Sequence, residues 1–257
     1  MKKYKKVVLK LGSALISESN STSSEMIKDL SSQISLLHHD TQFIIVTSGA
    51  ISQGMNILGI NDKPKDLESL QALAAIGQQQ LMGLYEKSFK NFDILTAQVL
   101  LTHDDMNDHS KYNNANATIE KLLNLNVIPI INENDVVATE EIKFGDNDKL
   151  AAMVSNLVKA DLMIILTNQS GFFDKNPDKY DDAKLIKKCA IQEVDINNFS
   201  SDEKSEFGTG GFKTKLQAIE MISSSGIDAI IASGYEKNVI ERIFSDEDIG
   251  TFFNSVD

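Results

Sequence analysis

An α/β fold with an open, mostly parallel sheet and helices on both faces is the architecture this sequence predicts. Two observations predict it. Apolar runs of strand length recur along the chain, and most are continuous rather than alternating, as strands covered on both faces require. Segments of helical period lie between them, and regular strand–helix alternation favours parallel strands joined by crossovers.

The first run is KVVLKLG at 6–12. Lys10 interrupts its apolar character after three residues, which argues for a strand and against a signal peptide despite the basic start. A helical pattern follows at 25–37, then QFIIVTS at 42–48 as a second strand. A long helical pattern covers 67 to about 89, ahead of ILTAQVLL at 94–101. Helical period returns at 113–123, and VIPIIN at 127–132 is the fourth strand. Residues 133–146 lack helical period and read as a hairpin or loop. A helix over 149–159 leads to LMIILTN at 162–168, the fifth strand. The serine-rich stretch 193–211 reads as a loop, before a helix at 213–223 and a last strand, IDAIIAS, at 227–233.

The chain has 257 residues, three prolines and no Pro/Gly-rich linker, so 1–257 is expected to form a single domain. Its one cysteine, Cys189, excludes an internal disulfide and a multi-cysteine metal cluster, and no metal ligands are assigned. A net charge of −12 disfavours nucleic acid, whose phosphates attract basic faces. It does not disfavour a small anion, which needs only a few lysines and backbone N–H groups. No apolar run approaches a membrane span, so no membrane role is expected and the cytoplasm is the default location.

Open parallel sheets bind ligands beyond the carboxyl ends of their strands, and polar residues cluster there. Lys10-Leu11-Gly12-Ser13 ends the first run, and a lysine inside an apolar strand is costly without a partner anion. It is not a Walker A loop, whose glycine and lysine spacing is absent. Thr47-Ser48-Gly49-Ala50 ends the second and exposes backbone N–H groups at a helix start. Asn132-Glu133-Asn134-Asp135 can receive a zwitterion, with carboxylates and amide oxygens accepting from an ammonium. In Lys143-Phe144-Gly145-Asp146-Asn147-Asp148 one residue would suffice to cap the next helix, and the surplus polarity points to a site. Thr167-Asn168 ends the fifth run. Gly208-Thr209-Gly210-Gly211-Phe212-Lys213-Thr214-Lys215 opens a helix with free N–H groups and a lysine that opposes the helix dipole unless an anion answers it.

These motifs, in this order, resemble the glutamate 5-kinase branch of the amino acid kinase superfamily. They are K-L-G-S, V-T-S-G-A-I-x-x-G, L-Q-A-L-A-A-I-G-Q, I-N-E-N-D-x-V-A-T, I-K-x-G-D-N-D and G-T-G-G-x-x-T-K, spread over about 5–250. The INEND and GDND pair carries the narrower resemblance; the lysine and SGA motifs mark only the superfamily.

The resemblance implies a three-layer αβα sandwich that uses ATP and Mg²⁺ to phosphorylate the γ-carboxylate of L-glutamate, the first step of proline biosynthesis. It implies glutamate contacts at Ser48, Asp135 and Asn147. Lys10 and Lys215 would stabilise the transferring phosphoryl group, with Asp148 orienting them. Lys10, Thr167, Asn168, Thr209, Gly210, Gly211, Phe212, Lys213, Thr214 and Lys215 would contact the nucleotide. Proline is the implied feedback inhibitor, and a homo-oligomer, dimer or tetramer, is expected. The chain departs from the family at Asn168, usually Asp, and at Phe212 and Lys213, usually smaller or neutral. Many bacterial members continue into a PUA domain, and none is expected within 1–257.

A carboxylate acceptor is already ionised at neutral pH, so the chemistry needs no general base. His38, His39, His103 and His109 fall outside the motifs and read as structural or surface residues. The alternatives are a kinase of the same superfamily acting on acetylglutamate, aspartate, carbamate or UMP, and a non-catalytic amino-acid sensor. UMP is disfavoured because the chain has few arginines and no cluster of them for a second phosphate.

Overall fold

The computed structural model describes residues 4–16, 20–138, 147–175, 177, 179–194, 196 and 211–255. Among these, eight strands form one sheet. They are β1 Lys6–Leu11, β2 Gln42–Val46, β3 Leu95–Leu101, β4 Val127–Glu133, β5 Leu162–Thr167, β6 Lys188–Ala190, β7 Asp228–Ser233 and β8 Thr251–Asn254. Their order across the sheet is β3-β4-β2-β1-β5-β7-β8-β6, and every adjacent pair is parallel except β7 with β8. The mostly parallel open sheet is as expected. The sequence reading missed β6 and β8, which are three and four residues long and too short to show a pattern.

The helices are α1 Ser13–Ile16, α2 Asn20–Leu37, α3 Ala50–Leu58, α4 Leu67–Lys90, α5 His103–Asn107, α6 His109–Asn124, α7 Asp148–Val158, α8 Phe212–Ser223 and α9 Val239–Phe244. Helical period found the five longest. It missed α1, α5 and α9, none longer than six residues, and α3, nine residues long, is marked only by the helix start read at Ala50. No described helix is long and apolar enough to cross a membrane.

Side-chain alternation sorts each strand between two cores. Val7, Leu9 and Leu11 of β1 join Phe43, Ile45, Ile164 and Leu166 under α1, α2, α4 and α9. Val8 joins Ile44, Val46, Ile131, Met163 and Ile165 under α6, α7 and α8. This is the three-layer sandwich. Parity then puts Lys10 on the face of Val8, beneath α7 and α8. A slip of one residue would turn it to the other core.

The chain lays β2 and β4 on one side of β1 and β5 and β7 on the other. The direction of winding therefore changes at β1, and the place where such sheets bind ligands lies beyond the carboxyl ends of β1, β2 and β5. Helices α3 and α4 cross very closely beside it. A Cβ on Gly54 would lie 2.0 Å from the Leu73 carbonyl oxygen, and one on Gly77 1.9 Å from that of Ala50.

Candidate active site

Lys10 lies in a central strand, not at an edge, and is 2% exposed. Its Nζ meets Asp148 Oδ1 at 2.5 Å. Asp148 opens α7 and is fully buried. Its Oδ2 accepts from Lys215 Nζ at 3.0 Å and from the Thr214 hydroxyl at 3.1 Å. The positive end of the α7 dipole favours the ionised carboxylate at this position. Lys215, fourth residue of α8, would otherwise oppose its own helix dipole, and Asp148 answers it. Two cations share one anion in this buried group, so its local charge is positive, a setting for anionic phosphates.

Asn147 precedes α7 in the capping position but makes no capping hydrogen bond with its side chain. Its Nδ2 donates instead to the Thr47 carbonyl oxygen and, at 2.8 Å, to Asn132 Oδ1. Asn132, at the end of β4, donates through Nδ2 to Gln78 Oε1 at 2.7 Å. Thr47 is held in turn by the buried Tyr85, whose hydroxyl donates to Thr47 Oγ1 at 2.8 Å. The residue after it, Ser48, is 6% exposed, and its hydroxyl has no hydrogen-bond partner among the described residues. Gly49 then turns the chain into α3 at φ 101°, a left-handed conformation open to glycine, and a Cβ there would meet Ile16 at 2.6 Å.

Asp135 sits in the turn after β4, half-buried. Burial raises its carboxyl first, the neighbouring Glu133 carboxylate raises it further, and Lys63 pulls the other way; the result is about 7. Glu133 is itself buried, 3.5 Å from Nδ1 of the buried His103.

Thr167 ends β5, buried, with its hydroxyl 3.2 Å from Asn168 Oδ1 and its carbonyl accepting from Gly234 N–H at 2.8 Å. The Phe212 ring, at the start of α8, stacks on Phe172 with centroids 5.5 Å apart and planes 17° apart. Of the residues expected at the nucleotide, Gly211, Phe212, Lys213, Thr214 and Lys215 thus lie together at the start of α8. Thr209 and Gly210 lie outside the described residues, as do Lys143 to Asp146 of the I-K-x-G-D-N-D motif.

The structure brings Lys10, Asp148, Lys215 and Thr214 into one group. Asn147, next to Asp148, joins Asn132 at the end of β4 and the Thr47 carbonyl oxygen just before Ser48. Asp135 follows in the turn after β4, close to Glu133 and Lys63. Sequence reasoning missed Gln78 and the part of Thr214 in holding Asp148. Gln78 closes the LQALAAIGQ stretch, a visible signal, but its partner is 54 residues away.

The amino acid kinase family model matches residues 5–233. The chain is 44% identical over 252 residues to the glutamate 5-kinase of Marinomonas sp. (strain MWYL1), covering 97% of this chain and 67% of that protein. It is 46% identical over 250 residues to the glutamate 5-kinase of Caldanaerobacter subterraneus subsp. tengcongensis, covering 96% and 67%. It thus spans about two thirds of the length of these curated relatives. Among solved structures it is similar to UMP kinase from Ureaplasma parvum, with a TM-score of 0.66 at 15% identity over 99% of this chain and all of that one. Carbamate kinase from Giardia lamblia bound to AMP-PNP is similar at a TM-score of 0.67 and 16% identity, over the full length of both. At such identities these two likenesses speak for the fold alone.

Proposed function

Because the chain belongs to the amino acid kinase family and, within it, to the glutamate 5-kinases, we propose that Lys10, Asp148 and Lys215 are its phosphoryl-transfer machinery. The activity is ATP-dependent phosphorylation of L-glutamate on its γ-carboxylate, giving glutamyl 5-phosphate in proline biosynthesis. The observation that carries the site assignment is the bridging of both lysines by one buried carboxylate at the mouth of the sheet.

Transfer between two anions asks for positioning and charge compensation rather than covalent help. Asp148 fixes the two ammonium groups from either oxygen, so that neither must reorganise as charge moves from the leaving to the attacking oxygen. Thr214 and the stacked Phe212 hold the start of α8 in place. The γ-carboxylate of glutamate ionises near 4.3 and attacks without losing a proton. Ser48, Asn147 and Asp135 take the substrate, with Asp135 and the Asn147 oxygen suited to its ammonium and the Ser48 hydroxyl to a carboxylate. Lys10, Thr167, Asn168 and residues 209–215 border the nucleotide in this reading. Mg²⁺ would neutralise phosphate charge. Such an ion would be held mainly by phosphate oxygens and water.

One sheet with a core on each face supports reading 1–257 as a single domain. Proline would compete at the glutamate site through its similar zwitterionic end, and glutamate binding unmoved by saturating proline would refute that. Self-association, as a dimer or a tetramer, is part of the same reading. We place the enzyme in the cytoplasm, where its substrates are.

The test of activity is ADP release with a panel of acceptors, with hydroxylamine present to trap an acyl phosphate. Glutamate-dependent hydroxamate supports the reading. Faster turnover of carbamate, acetylglutamate, aspartate or UMP would overturn it.

A further inference from the structure

The stretch LQALAAIGQ, residues 70–78, has no part in the transfer chemistry above. Its last two residues are nevertheless built around the site. Gly77 allows α4 to lie against α3 with no room for a side chain, and the next residue, Gln78, reaches the end of β4.

Three side-chain amides run in series from there. Gln78 Oε1 accepts from Asn132 Nδ2, and Asn132 Oδ1 accepts from Asn147 Nδ2, which also donates to the Thr47 carbonyl oxygen. A backbone carbonyl can only accept, so Asn147 must turn its NH₂ toward Thr47. Asn132 must then present oxygen to Asn147 and NH₂ to Gln78, and Gln78 must present oxygen. The order holds even though it leaves Gln78 Nε2 buried without a partner among the described residues. Turning the Gln78 amide over would set two NH₂ groups against each other. Both protons of Asn147 Nδ2 are committed in this series. Only Oδ1 of that amide is left for a ligand, and it is an acceptor that suits an ammonium and repels a carboxylate.

We infer that Gln78 is a positioning residue for amino-group recognition: acting through Asn132, it braces the Asn147 amide in the orientation the Thr47 carbonyl sets, with its oxygen free for the ammonium of the substrate. This rests on the reading that Asn147 meets glutamate. It adds that selectivity for an α-amino acid over the same dicarboxylate without nitrogen depends on a residue of α4 that does not touch substrate.

The test compares glutamate with glutarate as acceptors in Gln78→Leu, Gln78→Glu, Gln79→Ala and Asn147→Ala. Leucine removes the acceptor for Asn132, glutamate keeps it, and Gln79 is the exposed neighbour on α4. In Gln78→Leu the KM for glutamate should rise roughly five- to tenfold, the equivalent of one neutral hydrogen bond. The preference for glutamate over glutarate in kcat/KM should fall by a similar factor, with kcat and the KM for ATP little changed. Gln78→Glu and Gln79→Ala should keep the wild-type preference. If Gln78→Leu does not fold, Gln78→Met, closer in length, takes its place. An unchanged preference in Gln78→Leu, with a raised glutamate KM in Asn147→Ala, overturns the inference and leaves the substrate site standing. Equal losses of kcat in Gln78→Leu and Gln78→Glu would mark a purely structural residue and also overturn it. No effect in Asn147→Ala would remove the substrate reading itself, and the inference with it.

Discussion

Lys10 and Lys215 never need to find each other in the chain, because each holds a different oxygen of the Asp148 carboxylate. The consequence is a pair of cations whose spacing is set by a buried anion at the start of α7 rather than by either lysine's own flexible stem.

Lys215→Ala should therefore lose about 10²–10³ in kcat, by the scale of a single lost charge-stabilising donor, while the fold persists because Lys10 still compensates Asp148. Asp148→Asn should be worse for stability. It leaves two buried ammonium groups facing each other, at a cost of about 3–5 kcal/mol. Turnover assays and thermal unfolding of both variants check this; near-normal kcat in Lys215→Ala would remove that lysine from the chemistry.

Asp135 predicts a pH dependence. Burial first, and then Glu133, raise its carboxyl to about 7, so below neutrality the free protein holds it protonated and uncharged. Glutamate's ammonium favours the ionised form, and binding should release a proton. The KM for glutamate should therefore fall as pH rises through about 7, with the KM for ATP flat and the trend absent in Asp135→Asn. The sign for stability is opposite. Unfolded Asp titrates near 3.9, so between about 4 and 7 the native state binds the extra proton, and this group's contribution to stability declines as pH rises. Unfolding midpoints of wild type and Asp135→Asn across that range give the check.

Gly77→Ala should destabilise the protein by about 1–3 kcal/mol or more, since its Cβ would fall 1.9 Å from the Ala50 carbonyl oxygen and α3 and α4 would have to part. Thermal or urea unfolding measures the loss. A neutral substitution would mean that the crossing is looser than the geometry states.

Phe212→Ala should cost about 1 kcal/mol through its lost stacking on Phe172 and should lower kcat more than it raises the glutamate KM, because α8 carries Lys215. Phe212→Tyr, which keeps the ring, should restore both. Steady-state kinetics beside a melting curve separates the two effects.

Much of this was legible in the sequence. Continuous apolar runs located six strands; five of them, β1, β2, β4, β5 and β7, are almost wholly buried, a local property the run records, while edge strand β3 keeps an apolar run although it is half exposed. The same reasoning passed over β6 and β8, where too few residues repeat to show a period. Lys10 was conspicuous because a cation in an apolar strand demands an explanation. Asn147 was ambiguous, because any polar residue before a helix can be a cap. The structure shows that it is not one, having given its amide to Thr47 and Asn132 instead.

The sequence by itself determined the alternation of strands and helices and the residue types available at each strand end. Strand parity and helical period are carried by neighbours in the chain. Only the tertiary structure decided that Lys10, Asp148 and Lys215 form one group, that Phe212 stacks on Phe172, and that Gln78 completes the line of amides behind Asn147. Those pairings depend on the reversal of winding at β1 and on the close crossing of α3 with α4. The partners are brought together by packing across tens of residues of chain, and no local pattern records which of them will meet.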